Sequence, residues 1–223
     1  MFLGYGLQTI GLNFTSASRS GFITYFYALL TPFFQFFLLK KRPVRGNLIG
    51  LSLAFAGLFL ITGGMGKGEL NLGDIITLFS AVGFSLYIVC LNLLSNGDDS
   101  LNLTAIQLLV TSILAFSLMP FFEEPFIISS FTLWGNILFL SLLGSVVAVY
   151  IMTRYQNSVT PTRAAILYAL EPVFSVILAV FILGELFSTT QVFGAALILG
   201  GVLLSEVLEI RQSSGEQALN PVD

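Results

Sequence analysis

Apolar residues run along this chain in stretches of about the length that crosses a bilayer, divided by short polar breaks. A first, shorter stretch covers about 2–13. Seven fuller ones follow at about 21–39, 48–64, 75–94, 103–122, 133–153, 164–183 and 192–208. A helix needs about 20 residues to span roughly 30 Å of hydrocarbon, and the period-two alternation of a membrane barrel is absent from these runs. The pattern predicts an all-α polytopic membrane protein of about eight transmembrane helices. Gly63, Gly64 and Gly66, the Asn96-Gly-Asp-Asp99 cluster and Glu123-Glu-Pro125 supply ordinary turn chemistry at the breaks. Short connections make sequence neighbours antiparallel in space. The tail after Glu209, rich in Ser and Gln, is expected to be disordered.

Composition narrows the function classes. Of the residues, 56% are hydrophobic and 9% charged, against about 25% charged in a soluble domain. There is no histidine, which removes the commonest proton shuttle and metal ligand and with it HExxH and Ser-His chemistry. The phosphate-binding loop GxxxxGK[ST] is missing too. No enzyme, cofactor, metal site or nucleic-acid partner is therefore expected, and the single Cys90 cannot form an intrachain disulfide. Met1–Leu12 has neither the basic start nor the cleavage site of a signal peptide. Taking alternate connections, Lys40, Lys41, Arg42, Arg45, Arg154, Arg163 and Arg211 collect on one side, leaving Arg19 and Lys67 on the other. The positive-inside bias puts the first set, and the C-terminus, in the cytoplasm. Arg19 reads as a snorkelling side chain at a helix start, and Trp134 as an interfacial anchor.

One pattern occurs twice. Leu30-Thr-Pro32-Phe-Phe34 returns as Leu170-Glu-Pro172-Val-Phe174, and Gly50, Leu53, Gly57 and Leu60 are answered by Gly194, Leu197, Gly201 and Leu204. The prolines are 140 apart and the glycines 144, a difference of about one helical turn. Spacings of three, four and three put each glycine set on one helix face, where small residues let helices approach closely. If spans one to three match spans six to eight, spans four and five lack counterparts. The natural unit then has five helices, and an odd number per unit makes consecutive units insert in opposite orientation. The expectation is a chain shortened from two inverted five-helix repeats. Residues 1–66 would be an incomplete first repeat, 67–209 a complete second one and 210–223 a polar cytoplasmic tail.

Candidate chemistry follows the repeat. Ser20, Thr24, Tyr27, Thr31 and Gln35 form a polar stripe at helical spacing, answered by Tyr168, Glu171 and Ser175. Thr24, Tyr27, Thr31, Gln35, Tyr168, Glu171 and Ser175 are the expected substrate-binding residues around one central cavity. Pro32 and Pro172, the expected kink residues, free the carbonyls of Ala28 and Tyr168, and irregular backbone at membrane depth tends to line a cavity. Glu171 is a carboxylate deep in an apolar run, where charge costs at least about 2.5 kcal/mol. It either exchanges a proton or substrate as access alternates, making protons the candidate coupling ion, or stays neutral as a cap on loose backbone. Tyr87, Asn92, Gln107, Tyr150 and the row Phe33, Phe34, Phe36 and Phe37 are further pore candidates, although aromatic residues in membrane helices more often face lipid or pack between helices.

The segment Asn13-Phe-Thr-Ser-Ala-Ser-Arg-Ser-Gly-Phe22 leading to Pro32, and Arg163-Ala-Ala through Leu170-Glu-Pro172 to Gly184-Glu185, Gln191 and Gly194, resemble the EamA-like permeases of the drug/metabolite transporter superfamily. The resemblance covers essentially the whole chain and departs from the family pattern at Lys41, where the second repeat carries Glu185. It implies ten helices in two inverted repeats, both termini cytoplasmic, in a bacterial cytoplasmic (inner) membrane. It also implies alternating-access secondary transport of small metabolites, amino acids or drugs, often outward. The competing reading is a shortened, non-transporting remnant or membrane interaction module. Substrate identity and oligomeric state have no signature in these residues.

Overall fold

A computed structural model describes residues 1–63, 70–95, 99–122, 130–183 and 188–219. Gly64, Gly66, Lys67, Asn96, Gly97, Asp98, Glu123 to Pro125, Gly184 and Glu185 lie outside the described residues. Among those described there is helix and no strand. In order come α1 (Phe2–Leu12), α2 (Ala17–Thr24), α3 (Phe26–Leu39), α4 (Arg45–Thr62), α5 (Leu72–Leu94), α6 (Ser100–Phe122) and α7 (Phe131–Phe139). A π-helical stretch, Leu140–Val147, leads into α8 (Ala148–Tyr155), and a 3-10 turn, Gln156–Ser158, into α9 (Pro161–Tyr168), α10 (Glu171–Leu183) and α11 (Thr189–Leu219).

Each of the eight apolar runs holds helix. Among the described residues, six helical segments are long and apolar enough to cross a membrane: Arg19–Leu39, Arg45–Thr62, Leu72–Leu94, Ser100–Phe121, Phe131–Ser158 and Thr189–Leu208. The other two runs fall short for physical reasons. The first is a helix of only 11 residues, and the seventh divides into α9 and α10 at Ala169–Leu170. The tail corrects the sequence reading, because α11 continues to Leu219. Glu206, Glu209, Arg211, Gln212, Glu216, Gln217 and Ala218 are strong helix formers, and the first proline beyond Leu208 is Pro221.

Local chemistry sets the helix ends. Ser16 Oγ accepts from Arg19 N at 3.3 Å to start α2. Thr160 does the same for Arg163 N at 3.3 Å, with Pro161 at the first position of α9. Asn71 and Asp74 form a reciprocal capping box at the start of α5. Gly63, at φ 72°, closes α4 in the left-handed conformation that glycine adopts without strain.

The core gathers α2–α5, α9, α10 and α11 around Phe22, Ile23, Ala28, Leu51, Ala54, Leu58, Ile88, Ala164–Ile166, Val173, Ile198 and Val202. The most extensive helix contact is between α4 and α11. Had Gly50 or Gly57 a Cβ, it would lie 2.5 Å from Gly201 O or 2.4 Å from Gly194 O. The reverse positions give 2.5 Å from Gly194 to Gly57 O and 2.6 Å from Gly201 to Gly50 O. As numbers rise along α4 they fall along α11, so the helices are antiparallel with backbones touching. α6 and α7 with its π-helical continuation sit at the edge and expose apolar side chains such as Phe116, Phe121, Phe131 and Phe139.

Candidate functional site

Two broken helices lie side by side in opposite directions. One is α2–α3, interrupted at Tyr25, where Ala28 N turns to Tyr25 O at 3.0 Å. The other is α9–α10, interrupted at Ala169–Leu170, whose amides donate three residues back to Ile166 and Leu167 at 3.1 Å each. Their direction is fixed at both ends. Gln35 near the end of α3 meets Thr162 at the start of α9, and Tyr25 at the start of α3 donates its hydroxyl to Glu171 Oε2 at 3.0 Å. The hydrogen bond between Tyr25 and Glu171 therefore joins one helix break to the other.

The prolines relate differently to the two breaks. Pro172 directly follows Glu171, so the lost amide coincides with the interruption. Pro32 sits inside α3, which continues through it, and its break lies at Tyr25, seven residues earlier.

The polar stripe of the first broken helix is buried against protein: Ser20, Thr24, Tyr27, Thr31 and Gln35 are each at most 8% exposed. Four of them meet different neighbours. Thr24 Oγ1 accepts from Gln8 Nε2 of α1 at 3.0 Å, and Tyr27 stacks near Tyr25 and Phe84, with centroids 5.4 and 6.3 Å away. Thr31 Oγ1 donates to Tyr27 O at 2.7 Å and lies 3.2 Å from Ser85 Oγ of α5. Gln35 Oε1 accepts from both N and Oγ1 of Thr162, at 2.9 and 2.8 Å, while its Nε2 reaches Lys41 O at 3.4 Å. Of the second stripe, Tyr168 is half-buried and donates to Gln156 Oε1 at 2.9 Å. Glu171 and Ser175 are exposed on the protein surface. Tyr5 stacks edge-on against Phe84 at 4.9 Å, so a row of aromatic rings runs from α1 to Tyr25 and ends at the Glu171 carboxylate.

At the far end of that row is a cleft of about 390 Å³ lined by Met1, Tyr5, Thr111, Ser112, Ser141, Gly144, Ser145 and neighbouring apolar groups. The π-helical stretch forms one wall, a distortion that recurs at functional sites. Its lining mixes hydroxyls with hydrocarbon.

Charged groups close the opposite ends of the broken helices. Arg19 of α2 pairs with Asp74 of α5, and Arg163 of α9 pairs with Glu206 of α11. The Asp74 side chain is 1% exposed and also accepts from Thr15 Oγ1 at 2.7 Å and Asn71 N at 3.1 Å. The Arg163 pair is more open, at about a quarter exposure for each side chain, and Arg163 Nε donates to Glu206 Oε1 at 2.6 Å. This corrects the snorkelling expected of Arg19, whose guanidinium turns inward to the carboxylate. Arg19 and Arg163 hold equivalent positions, three residues into helices capped by Ser16 and Thr160.

Other expected pore groups serve as interhelical ties. Tyr87 donates to Gln107 Oε1 at 2.7 Å, Gln107 Nε2 to Thr153 Oγ1 at 3.2 Å, and Asn92 Nδ2 to the carbonyls of Gln156 and Val159 at 2.9 and 3.0 Å. Phe33, Phe36, Phe37 and Tyr150 are exposed. Sequence reasoning missed Tyr25, Asp74, Glu206, Thr162 and Ser85. Of these only Asp74 carried a signal, the Asn71-x-x-Asp74 capping pattern.

This arrangement has relatives. The chain is 32% identical over 203 residues to an uncharacterized transporter of Archaeoglobus fulgidus, covering 91% of this chain and 65% of that protein. It is 26% identical over 221 residues to the uncharacterized transporter YvbV of Bacillus subtilis, covering 98% and 72%. The chain thus spans about two thirds of the length of these relatives. One crystal structure of a protein superposes with a TM-score of 0.79 at 21% identity, covering 93% of this chain and 74% of that one, a likeness of fold. Residues 1–63 and 71–207 match the EamA-like transporter family, and with its row of apolar helices the chain belongs to that family as an integral, multi-pass membrane protein.

Proposed function

We propose that this protein is a secondary, non-ATP transporter of small metabolites, amino acids or drugs that works by alternating access around the junction of its two broken helices. The observation that carries the reading is the hydrogen bond from Tyr25 to Glu171. It is a single polar contact between two interruptions in antiparallel rods, and losing or regaining it is a local event that lets each rod pivot. The Arg19–Asp74 pair closes one end of the assembly and the Arg163–Glu206 pair the other, the arrangement expected of gates that open in turn. The reciprocal glycine contact of α4 with α11 supports inverted repeats. Residues 144 apart exchange partners there, Gly57 meeting Ile198 as Gly201 meets Ala54, the mark of a two-fold relation.

Glu171 is a carboxylate within an apolar run of the sequence, where charge is costly. The bond that joins the two breaks ends on a carboxylate, and protons are the coupling ion of this reading. The hydroxyl-and-hydrocarbon cleft, of a size that holds small ligands, suits a small amphipathic molecule. Thr24, Tyr27, Thr31 and Gln35 serve the junction of the two breaks from behind, by fixing the first rod against α1, α5 and α9. Tyr168, Glu171 and Ser175 present the surface that substrate meets, in a bacterial inner membrane with the C-terminus cytoplasmic.

The test is flux in proteoliposomes across a panel of amino acids, nucleosides and cationic drugs, with wild type and Glu171→Gln compared over a pH series. A changed rate or a flattened pH profile supports the assignment. Identical flux at every pH removes Glu171 from the mechanism.

A further inference from the structure

The linker from α3 to α4 contains Lys40, Lys41 and Arg42, and Arg45 opens α4, so four cations fall within six residues. All four are exposed, and among the described residues none takes part in an ion pair. The linker is also held in one shape. Lys40 adopts a left-handed conformation at φ 55°, the one non-glycine residue to do so among those described, Pro43 fixes its own φ, and the buried Gln35 grips Lys41 O while its other end holds Thr162. Exposed apolar side chains flank it on both sides: Phe37 and Leu38 end α3, and Leu48 and Ile49 begin the outer face of α4.

We infer that this linker is a binding site for the headgroup of an anionic phospholipid. Four exposed positive charges, none in an ion pair among the described residues, at the end of two helices with exposed apolar faces match a net-negative headgroup at that level. The apolar flanks of Leu38, Leu48 and Ile49 add surface for acyl chains, which a free anion does not have. Because Gln35 ties the linker backbone to the first turn of α9, a bound headgroup also bears on the helix that carries Arg163.

The experiment measures lipid retained by purified protein from mixed micelles holding equal amounts of phosphatidylglycerol and phosphatidylcholine. Wild type retains phosphatidylglycerol in preference, and less so at high salt. Lys41→Gln and Arg42→Gln each weaken that retention about fivefold, the effect of removing one charge near an anionic surface. Lys40→Gly separates charge from fold, since glycine suits the left-handed turn: thermal stability holds or rises while retention still falls about fivefold. Arg154→Gln, an exposed cation outside the linker, leaves retention unchanged. Equal retention of both lipids overturns the inference, as does undiminished retention in the linker variants. An Arg154 effect as large as theirs, or displacement of the lipid by inorganic phosphate at equal concentration, overturns it too.

Discussion

Gly201→Ala and Gly200→Ala add the same methyl group to adjacent positions of α11 with opposite surroundings. At Gly200 a Cβ finds nothing within 4 Å, whereas at Gly201 it lies 2.6 Å from Gly50 O, 3.0 Å from Ala54 N and 3.1 Å from Leu53 Cβ. Ordinary contact begins near 3.4 Å, and two of these neighbours are backbone, so α4 and α11 must part by about 0.8 Å. Such a gap forfeits about a quarter to a half of each dispersion contact along the seam. Overpacking of this kind costs about 1–3 kcal/mol, while both variants gain about 1 kcal/mol of helix propensity. Gly200→Ala is therefore neutral or stabilising, and Gly201→Ala is less stable than it by about 1–3 kcal/mol. Unfolding in mixed micelles of dodecyl maltoside with increasing dodecyl sulfate measures the difference. Gly50→Ala meets the same crossing from the other side, so the Gly50→Ala, Gly201→Ala double variant should lose less than the sum of the singles. Equal stabilities for the Gly200 and Gly201 variants, or strict additivity across the seam, would refute the close antiparallel contact.

Three further outcomes follow from the contacts around the broken helices. Tyr25→Phe removes the hydroxyl that Glu171 accepts and should shift the pH profile of proteoliposome flux, with overall stability changed by no more than about 1 kcal/mol because the bond lies at an exposed position; an unaltered profile would separate Tyr25 from transport. Gln35→Leu leaves the buried Thr162 amide and hydroxyl without their acceptor and should cost about 1–3 kcal/mol, read from the same detergent unfolding midpoints; a neutral result would mean that water replaces the glutamine. Asp74→Asn removes the buried charge that Arg19, Thr15 and Asn71 share and should destabilise by about 3–5 kcal/mol, whereas Glu206→Gln, at the more exposed pair, should cost no more than about 1 kcal/mol. Equal losses at the two sites would contradict the difference in burial.

Hydrocarbon thickness imposes a length on any membrane helix, so the apolar runs were legible in the sequence and helix appears in all eight. The glycine repeat was legible because backbone contact tolerates no side chain, which leaves a residue type as its trace. Partner choice was not. Thr31 and Gln35 announce a polar face, but nothing local says that Thr31 meets Ser85 or that Gln35 spans Thr162 and Lys41, pairings set by the relative placement of α3, α5 and α9. Tyr25 lies off the stripe and gave no periodic signal, yet the interruption of α2–α3 brings its hydroxyl to Glu171. Charge misled at Arg19 for a related reason. A cation at a helix start reads as snorkelling until the chain folds Asp74 against it.

In the proposed transport cycle the exposed face carrying Glu171 and Ser175 borders water in alternation from the two sides of the membrane. Replacing Cys90, the single cysteine, with serine and introducing Ser175→Cys gives one reporter on that face. Alternating access gives labelling by a membrane-impermeant maleimide applied from either side, with the balance between sides shifted by pH in a manner that Glu171→Gln abolishes. Reaction only with a lipid-soluble maleimide would place this face against acyl chains and rule out alternating access there.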